Sequence, residues 1–254
     1  MSRTSVENAL QVLKLFSMDE PELSVTAVAE KLQVAKSTAY RLLASLAKEG
    51  FVYKDTQSNL YSLGASIIPM MDVVKSQIHI SNESRPILSD LVLHTKENAH
   101  LGILEGLHVV YLETVEGMYA PEDYIHIGKR KPAHCTSGGK AILAFNEEFA
   151  KIAAENLQSY TPFTVTEPQQ FMKQLRHIGE VGHVVSKQEY QPHIIAIAVP
   201  VYNEKNQVIA SISITIDKSR YSKCLEIRYI NNLKKAAKEL TAIIKLRKRS
   251  EINV

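Results

Sequence analysis

Two short stretches of this chain carry residue types that can do chemistry. The first is Lys36-Ser37-Thr38-Ala39-Tyr40-Arg41. Two cations, two hydroxyls and an aromatic ring within six residues suit a polyanion. Lys36 and Arg41 can reach phosphates or the O6 and N7 atoms of guanine, and Ser37 and Thr38 can bond phosphates or base edges. The second stretch is Pro132-Ala133-His134-Cys135-Thr136-Ser137-Gly138-Gly139-Lys140-Ala141. A glycine pair opening a helix offers backbone N–H groups to an anion. It is not a nucleotide-hydrolysing loop, because His134 stands where that motif has its first glycine and Ala141 replaces the required Ser or Thr. Two readings stay open: capture of a small anion or carboxylate, and close packing of a helix start.

Catalytic signals are weak. Cys135 follows His134, but neighbours in an extended segment point to opposite faces, and a nucleophile and its base must meet in space. Cys135 reads as a small buried hydrophobe. His126, His134, His183 and His193 show no H-x-x-x-H or H-E-x-x-H spacing, and there is no C-x-x-C. No metal, cofactor or catalytic residue is therefore expected.

The elements around the first stretch must present it outward. Val6, Ala9, Leu10, Leu13 and Phe16 form one stripe of a first helix. Ser24 can cap a short second helix carrying Val25, Val28, Ala29 and Leu32. Gln33-Val34-Ala35 turns into a third helix, Lys36 to Lys48, which Gly50 ends. Phe51–Lys54 and Leu60–Leu63 then make a small hairpin around Asp55–Asn59. Helix, three-residue turn and helix suit placing the start of the motif's second helix in a DNA major groove, and a helical hairpin used for protein contacts stays open beside that reading. Lys54 and Asn59, at the hairpin tip, suit backbone or minor-groove contact. Five basic and two acidic residues between Lys31 and Gly64 fit that partner.

Downstream, a linker helix is expected from Ile67 to Ile78, interrupted near Pro69, and another helix from Asn82 to Thr95. The period then changes to two: strands are expected at Asn98–Leu104, Val109–Val115, Tyr124–Ile127, His183–Glu189, Ile194–Tyr202 and Val208–Ile216. Helices are expected from Ser137, at Glu147–Leu157, at Pro168–Gly179, and along the C-terminal stripe Ile230, Leu233, Ala237, Leu240 and Ile244.

At 254 residues the chain allows one large domain or two modest ones. Its 45% apolar content supports a core, and its net charge of +3 is too small to identify a partner. Between Lys218 and Glu251 eleven basic side chains face three acidic ones. That excess reads first as a solvated helix face and second as a nucleic-acid-binding tail. Two cysteines cannot build a disulfide scaffold. No apolar run reaches the ~20 residues of a membrane span. Met1–Asn8 lacks the apolar stretch of a secretory signal, so a cytoplasmic protein is expected.

The residues resemble a known family. Ser24-Val25-Thr26-Ala27-Val28-Ala29-Glu30-Lys31-Leu32, then Lys36–Leu43, Leu46, Gly50-Phe51 and Tyr61-Ser62-Leu63-Gly64, are similar to the N-terminal half of the IclR family of bacterial transcription regulators. Gly128-Lys129-Arg130-Lys131-Pro132, Gly139–Ala144, Glu189-Tyr190-Gln191-Pro192 and Ala198-Val199-Pro200-Val201 match its C-terminal half. The resemblance runs from about Ser5 to Leu246.

It implies an α+β protein: a winged helix-turn-helix DNA-binding domain over 1–64, a linker helix over 65–81, and an effector-binding domain over 82–254. That last domain would be a GAF-like α/β fold with a central antiparallel sheet. It implies a sequence-specific DNA-binding regulator, read as a repressor, that is a homodimer or homotetramer controlled by a small organic acid or aromatic metabolite. The alternative is a small-molecule-processing enzyme with an accessory winged helix, distinguished by turnover. The family's pocket maps onto Lys131, Ser137, Gly138, Ser213 and Thr215. Ser213 and Thr215, two residues apart on a strand, share one face. Ser186 stands where an acidic residue sometimes occurs, Ala196 where Cys is common, and His193 where Gly is common. The first two changes imply room for a larger or more strongly anionic ligand, and the third a donor near the mouth.

Overall fold

In the computed structural model, which describes residues 4–77, 79–119 and 125–251, the chain divides into two units, 1–78 and 79–254. The first unit opens with α1 (Ser5–Leu15), held by a capping box in which Thr4 and Glu7 satisfy each other's backbone N–H. A two-residue strand, β1 (Glu22–Leu23), leads to α2 (Val25–Leu32), where the Ser24 side chain accepts from the Ala27 N–H. Gln33 takes the left-handed conformation (φ 57°) and turns the chain into α3 (Lys36–Lys48). Strands β2 (Val52–Lys54) and β3 (Tyr61–Leu63) form the hairpin, and β1 adds to it in the order β1-β3-β2. Val12, Phe16, Val28, Leu32, Ala39, Leu43, Val52 and Tyr61 close the core. Helix α4 spans Ile67–Gln77.

The second unit is built on a six-stranded sheet. Its strands are β4 (Asn98–Glu105), β5 (His108–Val115), β6 (Arg130–Pro132), β7 (Val184–Lys187), β8 (Ile194–Tyr202) and β9 (Val208–Asp217). The order is β6-β5-β4-β9-β8-β7, and each neighbouring pair is antiparallel. Period-two alternation gives the sheet two apolar sides. Leu101, Ile197, Val199, Ile212, Ile214 and Ile216 pack with α5 (His79–Thr95) and α9 (Lys223–Glu251). From the other side, α6 (Ser137–Leu143) packs on β4, β8 and β9. Helices α7 (Glu147–Ala154) and α8 (Pro168–Val181) complete that second core around Phe171 and Leu175.

The α+β class and the antiparallel sheet agree with the sequence reading; three local expectations need correction, and one short strand was not foreseen. Pro69 does not interrupt the linker helix: it is the third residue of α4, in the first turn, where a missing N–H costs no intrahelical bond. Chain 125–127 is not a strand; the edge strand is Arg130–Pro132, while Tyr124 lies outside the described residues. His134 and Cys135 are not in an extended segment but in a 3-10 turn, Ala133–Cys135. The strand β1 had no period to reveal it, being two residues long.

Candidate functional site

Helix α3 presents a continuous exposed face. Ala39 and Leu43 point into the core. Lys36, Ser37, Tyr40, Arg41, Ala44, Ser45 and Lys48 point away from it. Thr38 is half-buried at the rim of this face. Lys54 and Asn59 are exposed on the hairpin, and the Lys54 ammonium stands 5.9 Å from the Tyr61 ring. Asn59 adopts φ 58°, and Asp55 accepts from the Gln57 N–H at 2.7 Å, which pins the hairpin turn. Those two backbone N–H groups, of Gln57 and Ser58, hold the Asp55 carboxyl below its ordinary pKa. The arrangement can dock a cationic, hydroxyl-bearing helix end in a groove while the hairpin meets the backbone beside it.

In the second unit, strand register assembles a cavity. Ser186 on β7 stands opposite Ala196 on β8, and Ala196 opposite Thr215 on β9. One step along, Ala198 stands opposite Ser213. Lys131, Ser137, Ser186, Ala196, Ser213 and Thr215 all line one cavity, together with Tyr111, Ile125, Cys135, Thr136, Glu189, Tyr190, Gln191 and Ile194. The Lys131 ammonium lies 4.9 Å from the Tyr190 ring, and Tyr190 packs on Tyr160 at 5.1 Å. Behind the wall, the buried Lys140 ammonium pairs with the Glu189 carboxylate and donates to Gln174 Oε1 at 2.9 Å. Ser186 donates to the other Glu189 oxygen at 3.1 Å. Burial pulls Lys140 below its usual pKa, and Glu189 opposes that shift.

Two expectations change here. Gly138 does not line the cavity. It faces the sheet, where an added Cβ would come within 3.0 Å of Ser211 Oγ, and a Cβ on Gly139 would overlap the Ala133 backbone. Both glycines serve close packing. The cavity is also small: about 30 Å³, room for a water or two. The room expected beside Ser186 and Ala196 is therefore slight, and Tyr111, Ile125 and Tyr190 line the same cavity. His193 is exposed, between the lining residues Gln191 and Ile194.

Burial pushes the Cys135 thiol up to about 12 and holds His134 below its ordinary value. A thiol of that kind is no thiolate nucleophile near neutral pH. Among the described residues, no three His, Cys, Asp or Glu side chains cluster as metal ligands, and no helix is long and apolar enough to cross a membrane.

Sequence reasoning missed Tyr111, Ile125, Tyr190 and Gln191 as wall residues. Tyr111 carried a usable signal, since it alternates with Val110 and Leu112 on β5. Tyr190 and Gln191 lie in the Glu189–Pro192 stretch that the resemblance had already singled out.

Residues 5–56 match the model of the IclR helix-turn-helix domain, and residues 72–242 that of the bacterial transcriptional regulator IclR C-terminal domain. The chain is 32% identical to the HTH-type transcriptional regulator XynR of Escherichia coli, over 85% of this chain and 87% of that protein. A solved regulator from Alicyclobacillus acidocaldarius is 30% identical, with a TM-score of 0.82 over 95% of this chain and 99% of that one. An IclR homolog from Microbacterium hydrocarbonoxydans, complexed with 4-hydroxybenzoate, shares the fold at 20% identity. Its TM-score is 0.84 over 96% of this chain and all of that one. The chain is a DNA-binding transcriptional regulator and not an enzyme. It belongs to the IclR family.

Proposed function

We propose that this regulator binds an operator through Lys36, Ser37, Thr38, Tyr40 and Arg41, with Lys54 and Asn59 on the wing. The observation that carries this part is the exposed face of α3, polar and cationic on one side and locked into the core by Ala39 and Leu43 on the other. A single winged helix reads a short site, so two copies on two half-sites supply specificity. Val6 and Leu10 on α1, and Ile68, Met70, Met71 and Val73 on α4, are exposed apolar side chains that a second copy would cover. The unit in the cell is then a homodimer or homotetramer in the cytoplasm.

The cavity of the second unit is the effector site. Lys131, Ser137, Ser213 and Thr215 offer donors to a small oxygenated acid, and the aromatic walls Tyr111 and Tyr190 suit an organic one. The aromatic acid held by the Microbacterium neighbour supports the same ligand class. With so little free volume, binding must move wall residues, and that movement is the signal. The simplest coupling is release: the effector lowers operator affinity, and the chain acts as a repressor.

The test is a gel shift on DNA upstream of the regulator's own gene and its neighbours, with small carboxylates and aromatic acids added in turn. A palindrome bound without ligand and freed by one compound supports the reading. Binding strengthened by that compound would make the chain an activator of the ligand-dependent kind.

A further inference from the structure

Behind the cavity lies a histidine to which the DNA-binding and effector readings give no role. His100, in the middle of β4, is fully buried. Its Nδ1 lies 3.2 Å from Thr114 Oγ1 and its Nε2 lies 3.3 Å from Thr215 Oγ1. Its ring meets that of Tyr111 edge-on, with centroids 5.5 Å apart. Thr215 and Tyr111 both line the cavity, whereas His100 does not. The ring thus stands one layer behind the wall and touches two of its members. Register puts it there: His100 faces Thr114 on one side and Ser213, two residues from Thr215, on the other.

A neutral imidazole has one N–H donor and one bare acceptor nitrogen. In an imidazolium both threonines would accept; in the neutral ring they cannot play the same part. If Nδ1 carries the proton, Thr215 must give its own proton to Nε2 and can show the cavity only lone pairs. If Nε2 carries it, Thr215 accepts from the ring and its hydroxyl proton is free to point into the cavity. The rest of the wall chooses between these. Lys131 is a donor, and Ser137 and Ser213 can donate. The acceptor Glu189 is already engaged by Lys140 and Ser186. Gln191 can donate or accept, so with the Lys131 cation the wall favours a ligand oxygen, which a donor from Thr215 would also serve.

We propose that His100 is the positioning residue that sets the hydrogen-bond polarity of the effector cavity: its Nε2–H donates to Thr215, so that the Thr215 hydroxyl donates to a ligand oxygen. The inference rests on the reading of this cavity as the effector site. It makes His100 a specificity determinant for acceptor-bearing ligands over donor-bearing ones, without contact between His100 and the ligand.

The experiment uses the full chain labelled with ¹⁵N-histidine, and two-bond ¹H–¹⁵N correlations that distinguish the imidazole tautomers. The His100 signals are those lost in His100→Gln. The expected result is a protonated-type Nε2 and an unprotonated-type Nδ1. Thr215→Val removes the acceptor while leaving the ring in place, and should shift both nitrogens; Thr215→Ser should restore them. A protonated Nδ1 in the wild type, or signals indifferent to Thr215→Val, would overturn the proposal. Acetate and benzoate then serve as carboxylate probes. Each should move the His100 Nε2 signal in wild type and in Thr215→Ser, with that movement lost in Thr215→Val. Movement at a labelled Ser213 without movement at His100 would overturn the proposal and leave the effector reading standing. Movement at neither, with the Nε2–H tautomer established, would overturn the effector reading and with it the ligand half of this proposal.

Discussion

Lys140, on α6, and Glu189, on the loop after β7, form a buried ion pair whose carboxylate also lines the small cavity of the second unit. Removing one partner strands the other charge in the interior, at about 3–5 kcal/mol. Glu189→Leu should therefore lower the melting temperature of the second unit by roughly 10 °C, and Lys140→Met by a similar amount. Lys140→Met combined with Glu189→Leu should recover most of the loss, because neither charge remains. Calorimetry on the four proteins of this cycle checks the coupling; two single losses that simply add would refute it.

His134 supplies a pH dependence with a definite sign. Burial holds its folded-state pKa below 6.5, so the unfolded chain binds the proton more tightly. The stability it contributes is complete above pH 6.5 and is lost as pH falls through the lowered folded-state value, with a slope of at most about 1.4 kcal/mol per pH unit. His134→Gln keeps a donor for the Gln158 carbonyl, 2.9 Å away in the wild type, and should flatten this limb. Melting curves of both proteins between pH 5 and 8 provide the comparison.

The glycine pair separates packing from binding. Gly139→Ala drives a Cβ into the Ala133 backbone and should cost about 1–3 kcal/mol or block folding. Gly138→Ala meets the Ser211 hydroxyl at 3.0 Å, with Val109 and Ser213 at ordinary contact distance, and should cost less. Chemical denaturation of the two variants gives the order; the reverse order would mean that α6 can shift on the sheet.

Arg41 lies on the exposed face of α3, so Arg41→Ala should leave melting unchanged. Loss of a bidentate base contact costs about 1–3 kcal/mol, and operator affinity should fall at least tenfold. Lys54→Ala should weaken binding to all sequences alike and reduce its salt dependence. Anisotropy titrations at two salt concentrations distinguish the two behaviours.

How much of this could be read from the sequence depended on the range of the cause. The α3 face was legible because helix period, the Ser24 cap and the turn at Gln33 are local. The face-sharing of Ser213 and Thr215 was legible because strand period is local too. Gly138 misled, because its own segment cannot say whether a glycine opens toward a ligand or toward Ser211 on a strand seventy residues away. His100 was invisible as a functional residue for the same reason: its partners Thr114 and Thr215 lie on two different strands. The small volume of the cavity depends on the side chains of Tyr111, Ile125 and Tyr190 meeting across the fold, and no spacing encodes that.

In the proposed function, a ligand in the cavity lined by Ser213 and Thr215 governs operator binding by the first unit. The most direct measurement is operator affinity by anisotropy, with and without the carboxylate that most stabilises the wild type in a thermal screen. It is made on wild type and on Ser213→Ala/Thr215→Val. A ligand present at a hundred times its Kd stabilises the native state by about 2.7 kcal/mol, enough to register. The ligand should lower wild-type operator affinity at least tenfold and leave the double variant's affinity unchanged. An equal loss of affinity in both proteins would place the controlling site elsewhere and contradict the proposed function.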